Sequence, residues 1–126
     1  QGKSLMDIVL NFSTTIPIYT QIYQQISSQI LSGKLVGGTQ LPTIRQIAQE
    51  LKISVIPVKR AWEELDRKGL IKTITGKGTF VTELNKSELK EIKNSNSENF
   101  VREFCLQAKE NEITLEELIK LVKKIY

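Results

Sequence analysis

The chain contains no histidine at all, one cysteine and one tryptophan among its 126 residues, and each shortage closes off a class of chemistry. Zinc sites are built from cysteine and histidine, so the usual ligand sets cannot be assembled within one chain. Ser–His and Cys–His nucleophile pairs disappear with the same residues. A lone Cys105 forms no internal disulfide, which fits a reducing cytoplasm. No apolar run approaches the ~20 residues that span a bilayer, and no signal-peptide pattern is present. A soluble cytoplasmic protein without a membrane partner is expected. Catalysis by carboxylates or lysines has no cluster to support it, so neither an enzyme nor a cofactor is expected.

What is present is enough for a core. Apolar residues make up 40% of the chain, too many for a disordered polypeptide. The length allows one ordinary domain, or a compact module with a small appendage. Gln1–Leu5 is unlike a natural start and reads as a cloning remnant ahead of Met6. The net charge of +4 is unevenly placed: Asn11–Leu84 carries nine Lys/Arg against five Asp/Glu, whereas Asn85–Tyr126 carries eight of each. A modest basic excess is ordinary in itself. It gains weight because it coincides with the pattern described next.

Ile8, Leu10 and Phe12 alternate, as in a short strand or an extended arm. Pro17 stands where a first helix would begin, at N1, and Ile18, Ile22, Ile26 and Ile30 then form an apolar stripe with Tyr19 and Tyr23 beside it. Gly33 suits the left-handed position after that helix, and Gly37-Gly38 marks a turn. Thr43 with Gln46 is a capping-box signal for a second helix of about ten residues, with Ile44, Ile47, Ala48 and Leu51 on its buried side. Lys52-Ile53 breaks the pattern, and Ser54 is placed to cap a third helix whose Val58, Ala61, Trp62 and Leu65 face the core. After Gly69, the β-rich runs Leu70–Ile74 and Thr79–Val81 flank Thr75-Gly76-Lys77-Gly78, a hairpin signal. Helix, strand, helix, helix and hairpin is the order of a winged helix-turn-helix.

Beyond Leu84 the character changes. Lys86–Lys93 is compatible with a helix, but Asn94-Ser95-Asn96-Ser97 is poor in helix formers. Phe100, Phe104 and Ala108 make a second stripe, with Val101 and Cys105 next to it. Thr114 and Glu117 form another capping box, followed by Leu115, Leu118, Ile119, Val122 and Ile125 on one face. About 40 residues are too few to bury both stripes alone, so they must pack on the first module, on a second copy, or on both.

The residues facing a partner follow from helical geometry. At about 100° per residue, the side of the third helix opposite its core stripe carries Ile56, Arg60, Glu63 and Arg67, with Lys59 flanking. The N-terminal end of such a recognition helix is the part that reaches base edges, and here it offers Ser54, Val55, Ile56, Lys59 and Arg60. Lys59 and Arg60 can donate to guanine or to phosphate, whereas Ile56 can touch only a thymine methyl. Arg45, near the start of the second helix, is placed to anchor a phosphate or reach a base. Gly76, Lys77 and Gly78 form a tip whose bare backbone can approach a minor groove, with Lys77 entering it. Pro57 falls in the first turn of the third helix, where a missing N–H costs little, although it removes one capping partner of Ser54.

The segment from Pro17-Ile18-Tyr19 to Gly78-Thr79-Phe80-Val81 resembles the DNA-binding domain of the GntR family of bacterial transcription regulators. The resemblance is carried by PIYTQIYQQI, LPTIRQIAQEL, VKRAWEELDRKGLI and GKGTFV, in the family's order and spacing. The short remainder resembles the YtrA subfamily, whose tail is a helix pair used for dimerisation. The resemblance implies that Arg45 contacts DNA, that Lys59 reads a base, and that Gly76-Lys77-Gly78 is the wing. The chain departs from many relatives at Val55, Ile56 and Pro57, where they carry polar groups, so no operator sequence is carried over.

The expected fold class is therefore α+β: a winged helix-turn-helix with an N-terminal arm over residues 6–84, then a helical dimerisation segment over residues 85–126. The expected function is sequence-specific binding of double-stranded DNA as a homodimer on an inverted-repeat operator, as a transcription regulator of the repressor type. Dimer contacts are assigned to Phe100, Phe104, Leu115, Leu118, Ile119 and Val122. Any small-molecule effector, its identity unknown, would bind at the dimer interface or between the modules. Two alternatives stay open: a protein-interaction module on the same scaffold, or the N-terminal piece of a regulator fused to an aminotransferase-like domain.

Overall fold

The computed structural model describes residues 6–126; the reading of Gln1–Leu5 as a cloning remnant lies outside them. Helix α1, Ile18–Leu31, starts one residue later than expected, because Pro17 serves as the N-cap with an extended ψ of 148°. The Pro17 carbonyl accepts the N–H groups of Thr20 and Gln21. Ile22 and Ile26 are completely buried and Ile30 nearly so, as the stripe required. Gly33, at φ +87°, lets the chain leave the helix by a left-handed turn.

The alternating Ile8, Leu10 and Phe12 form no strand among the described residues. Side chains of α1 do the pairing instead. Gln25 accepts the Val9 N–H at 2.9 Å and donates to the Val9 carbonyl at 2.7 Å. Gln21 treats Asn11 in the same way, at 2.8 and 2.9 Å, and Gln29 donates to the Met6 carbonyl at 2.9 Å. Gln21, Gln25 and Gln29 recur at i, i+4, so they lie in one row and supply the partners that a neighbouring strand would. The arm in turn buries Met6 and Ile8.

Helix α2, Ile44–Leu51, is held at its start by the full Thr43–Gln46 capping box. It is shorter than expected, because Lys52 turns left-handed at φ 58° and ψ 45°. The Ile53 N–H then bonds the Ala48 carbonyl at 3.0 Å, and Ser54 begins α3, Val55–Arg67. Val58, Ala61, Trp62 and Leu65 are buried, and α3 packs on both α1 and α2. Fully burying side chains of this size contributes roughly 1.5–3 kcal/mol each, so this stripe fixes where the exposed side of α3 must point.

The hairpin runs as β1, Ile71–Ile74, and β2, Gly78–Val81, antiparallel, with Ile71 opposite Val81 and Ile74 opposite Gly78. Both strands end where the sequence-based reading puts them, but β1 starts one residue later and β2 one residue earlier. Residues 38–41 lie along the other edge of β2, through bonds from Gly38 N–H to the Val81 carbonyl, Val81 N–H to Thr39, and Leu41 N–H to Thr79, each 2.8 Å. Val81, Leu70 and Ile71 are buried, so the base of the hairpin is rooted in the core.

A first compact unit ends at Asn85 and a second comprises Lys86–Tyr126. In the second, α4, Lys86–Glu110, runs unbroken for 25 residues. The weak helix formers 94–97 do not interrupt it. Propensity differences amount to a few tenths of a kcal/mol per residue, whereas a break would require nucleating a new helix. Helix α5, Leu115–Ile125, carries the expected Thr114–Glu117 capping box. The corner between them repeats the one between α2 and α3: Glu112 has φ 58°, like Lys52, and the Ile113 N–H bonds the Ala108 carbonyl at 2.9 Å. The two corners share Ala48/Ala108, Glu50/Glu110 and Ile53/Ile113, with Ser54 matched by Thr114. Among the described residues, no helix is long and apolar enough to cross a membrane.

Candidate nucleic-acid interface

The α2–turn–α3 unit presents its polar groups by default, because its apolar ones are spent on the core. Arg45 is the second residue of α2 and is exposed. Ser54 occupies the N-cap of α3 but makes no side-chain capping bond. The reason is local. A capping box uses the N–H three residues on, and here that residue is Pro57, which has none. Thr43 and Thr114, followed at that position by Gln46 and Glu117, do make the bond. The Ser54 hydroxyl is thus left unspent at the mouth of a helix whose first turn carries no acidic residue, an end where the backbone favours anions.

Val55 and Ile56 follow, 46% and 74% exposed. Lys59 and Arg60 are exposed one turn further along. Among the ion pairs of the described residues of this unit, Lys34–Asp7 and Arg67–Glu64, none involves Arg45, Lys59, Arg60 or Lys77. Arg67 is taken by Glu64, and its guanidinium hydrogen bond holds the Glu64 carboxyl below the ordinary carboxylate value. Arg60 is placed differently from the sequence-based picture of a free exposed cation: its guanidinium carbon lies 3.8 Å from the centre of the Tyr19 ring on α1.

The hairpin tip is fixed from outside the hairpin. The Gln40 side chain donates to the Lys77 carbonyl at 2.9 Å, and the Lys77 N–H returns to the Ile74 carbonyl at 2.9 Å. Gly78 has φ +124°, and a Cβ there would stand 2.6 Å from Gln40 Nε2. The backbone angle therefore demands glycine, and a Cβ would in addition push the Gln40 amide off the Lys77 carbonyl. Gly76, at φ +80°, has nothing within 4 Å of such a Cβ, so it answers to the turn alone. Lys77 is exposed between the two glycines. Sequence reasoning missed both Gln40 and Tyr19. Gln40 belongs to no periodic pattern, and Tyr19 was taken only as a neighbour of the apolar stripe.

In the second unit the residues assigned to dimer contacts are partly brought together. Phe100 and Phe104 stack with centroids 6.5 Å apart and planes 6° from parallel. Phe104, Leu118 and Val122 line a groove of about 400 Å³ with Ala108, Leu121 and Ile125. Phe100, Leu115 and Ile119 lie outside that lining but remain exposed, at 72%, 70% and 45%. Among the described residues of α4 and α5, only Ala108 is buried.

This architecture has clear relatives. The model of the bacterial regulatory proteins of the gntR family matches residues 18–81, from the start of α1 to the end of the hairpin. The transcriptional repressor YtrA of Bacillus subtilis is 32% identical over 112 residues, covering 89% of this chain and 86% of YtrA. A GntR family transcriptional regulator from Listeria monocytogenes superposes with a TM-score of 0.69 at 29% identity, covering 91% of this chain and 100% of that one. The DNA-binding domain of AraR, solved in complex with operator ORX1, superposes with a TM-score of 0.55 at 26% identity, covering 64% of this chain and 100% of that one. These likenesses favour the DNA-binding reading over the interaction-module reading. The chain belongs to the GntR family and is a winged-helix, DNA-binding transcription regulator.

Proposed function

We propose that this regulator acts in the cytoplasm as a homodimeric repressor on an inverted-repeat operator, with the first unit contacting DNA and the second joining two copies. The observation that carries the proposal is the first turn of α3: an unspent Ser54 hydroxyl, exposed Val55 and Ile56, and no acidic residue. Ser54 and the free N–H groups beside it bind a phosphate. Val55 and Ile56 lie against base edges, Ile56 on a thymine methyl, and Lys59 donates to a guanine. Arg45 anchors the backbone, and Lys77, held out between Gly76 and Gly78, enters the minor groove.

The exposed apolar faces of α4 and α5 support the dimer. Phe100, Phe104, Leu115, Leu118, Ile119 and Val122 are covered by the same residues of a second copy, as in a two-fold interface. Two recognition helices would then lie ~34 Å apart, one turn of duplex. The groove is assigned to the partner copy, and no effector site is part of the proposal.

Enrichment of random duplexes at two salt concentrations tests this reading. A two-fold-symmetric motif is expected, with log affinity falling against log salt at a slope near −7 if each chain neutralises about four phosphates. Arg45→Ala and Lys77→Ala should weaken binding to all duplexes alike, whereas Lys59→Ala should also relax base preference. Binding without any motif, or equal losses on enriched and random DNA for all three variants, would remove the base-reading roles.

A further inference from the structure

Arg60 is the one cation on the exposed side of α3 that the structure ties to another element. Its guanidinium lies 3.8 Å from the ring centre of Tyr19, the second residue of α1. Glu63 stands three residues along the helix and Glu64 four; Arg67 engages Glu64, which also feels the Arg60 charge, and among the described residues no ion pair occupies the Arg60 N–H groups. Stacking uses the face of a guanidinium and leaves its in-plane donors free. An arginine held this way presents its donor edge in a fixed direction, and little rotamer freedom remains to be lost when a ligand arrives. Tyr19 is half-buried and set on α1, whose stripe is locked against α3 by Ile22 and Ile26. The ring is therefore an anchored platform.

We infer that Tyr19 is a positioning residue for DNA binding: its ring holds the Arg60 guanidinium to the α1 side of the recognition helix, as a preset donor to a backbone phosphate rather than to a base. The inference rests on the DNA-binding role of α3 proposed above. It separates Arg60 from Lys59, its neighbour in sequence, which no ring restrains. Arg60 sets how tightly the helix is seated, and Lys59 sets which sequence it prefers.

The experiment compares Tyr19→Leu, Tyr19→Phe and Arg60→Ala with wild type in full-chain duplex binding across a salt series, alongside NMR of the free proteins. Wild type and Tyr19→Phe should both show the Arg60 Cδ protons displaced upfield by the ring current, and Tyr19→Leu should not. Arg60→Ala should flatten the dependence of log affinity on log salt by about one unit per chain, with equal losses on operator and random duplex. Tyr19→Leu should lose about three- to fivefold in affinity at every salt concentration with the slope unchanged, because the phosphate contact survives and only its preparation is lost. Tyr19→Phe should restore wild-type binding. Tyr19→Leu added to Arg60→Ala should cost nothing further. An equal loss from Tyr19→Leu in the Arg60→Ala background, or failure of Tyr19→Phe to rescue, would overturn the inference by showing that Tyr19 acts through the fold or its hydroxyl. A base-dependent loss from Arg60→Ala would overturn the phosphate assignment. If wild type binds no duplex at any salt concentration, the proposed function itself falls, and this inference with it.

Discussion

Replacing Gly78 by alanine tests whether the wing is built as described. Two costs arise at that position. A side chain at φ +124° occupies backbone territory that costs about 1–3 kcal/mol for a non-glycine residue. The new Cβ would also stand 2.6 Å from Gln40 Nε2, forcing the amide off the Lys77 carbonyl and losing a bond that contributes about 1 kcal/mol. Because Val81 is buried at the far end of β2, only the tip can relax, and the net loss should be about 2 kcal/mol. Gly76→Ala is the control. It shares a positive φ but meets nothing within 4 Å, so it should cost only about 1 kcal/mol. Urea unfolding followed by the fluorescence of Trp62, the single tryptophan and a buried one, reads both values. In a Gln40→Ala background the collision is gone, and Gly78→Ala should be milder by about 1 kcal/mol. Wild-type stability for Gly78→Ala, or an equal penalty with and without the Gln40 amide, would refute the account of the tip.

Two other expectations concern the parts outside the wing. Phe104→Glu places a charge in the apolar groove at a site that is 44% exposed, so the chain should fold yet sediment as a monomer and lose most of its operator affinity; an intact dimer would remove the groove from the interface. Gln25→Ala deletes both bonds to Val9 and should destabilise the chain by about 1 kcal/mol at most, since the site is exposed. Its signature should be faster hydrogen exchange at the Val9 N–H with α1 unaffected, and unchanged exchange there would show that Gln25 does not anchor the arm.

The legible parts of the sequence were those governed by short-range rules. The four-residue spacing of Ile18, Ile22, Ile26 and Ile30, and the Thr43–Gln46 and Thr114–Glu117 boxes, depend on neighbours within one helical turn, and each appears as expected. Pairing across the chain was not legible. The alternation of Ile8, Leu10 and Phe12 fits a strand or an extended arm equally, and it does not reveal that a row of glutamines on α1 supplies the arm's partners. Whether the stretch 94–97 interrupts a helix is not legible in its residues, because single-residue propensities omit the cooperativity of the flanking turns. At the interface, the exposure of Ile56 and Lys59 followed from the core stripe of α3 and that of Arg45 from the stripe of α2, but the restraint on Arg60 and on the wing tip did not. Tyr19 and Gln40 reach those positions through tertiary packing, and nothing in their local sequence marks them.

The corner built around Lys52 and built again around Glu112 shows how little of this protein's specialisation resides in its backbone. A left-handed residue, an isoleucine N–H to alanine carbonyl bond and a hydroxyl residue at the N-cap precede a helix in both places, although only Thr114 makes the capping bond. The charge on the helix delivered differs as well. The first turn of α3 has no acid, and that of α5 has Glu116 and Glu117. A phosphate offered to the second corner would meet two carboxylates at the very end where the peptide dipoles invite it. The acidic first turn of α5 thereby disfavours an anion at a backbone shape that resembles the start of α3.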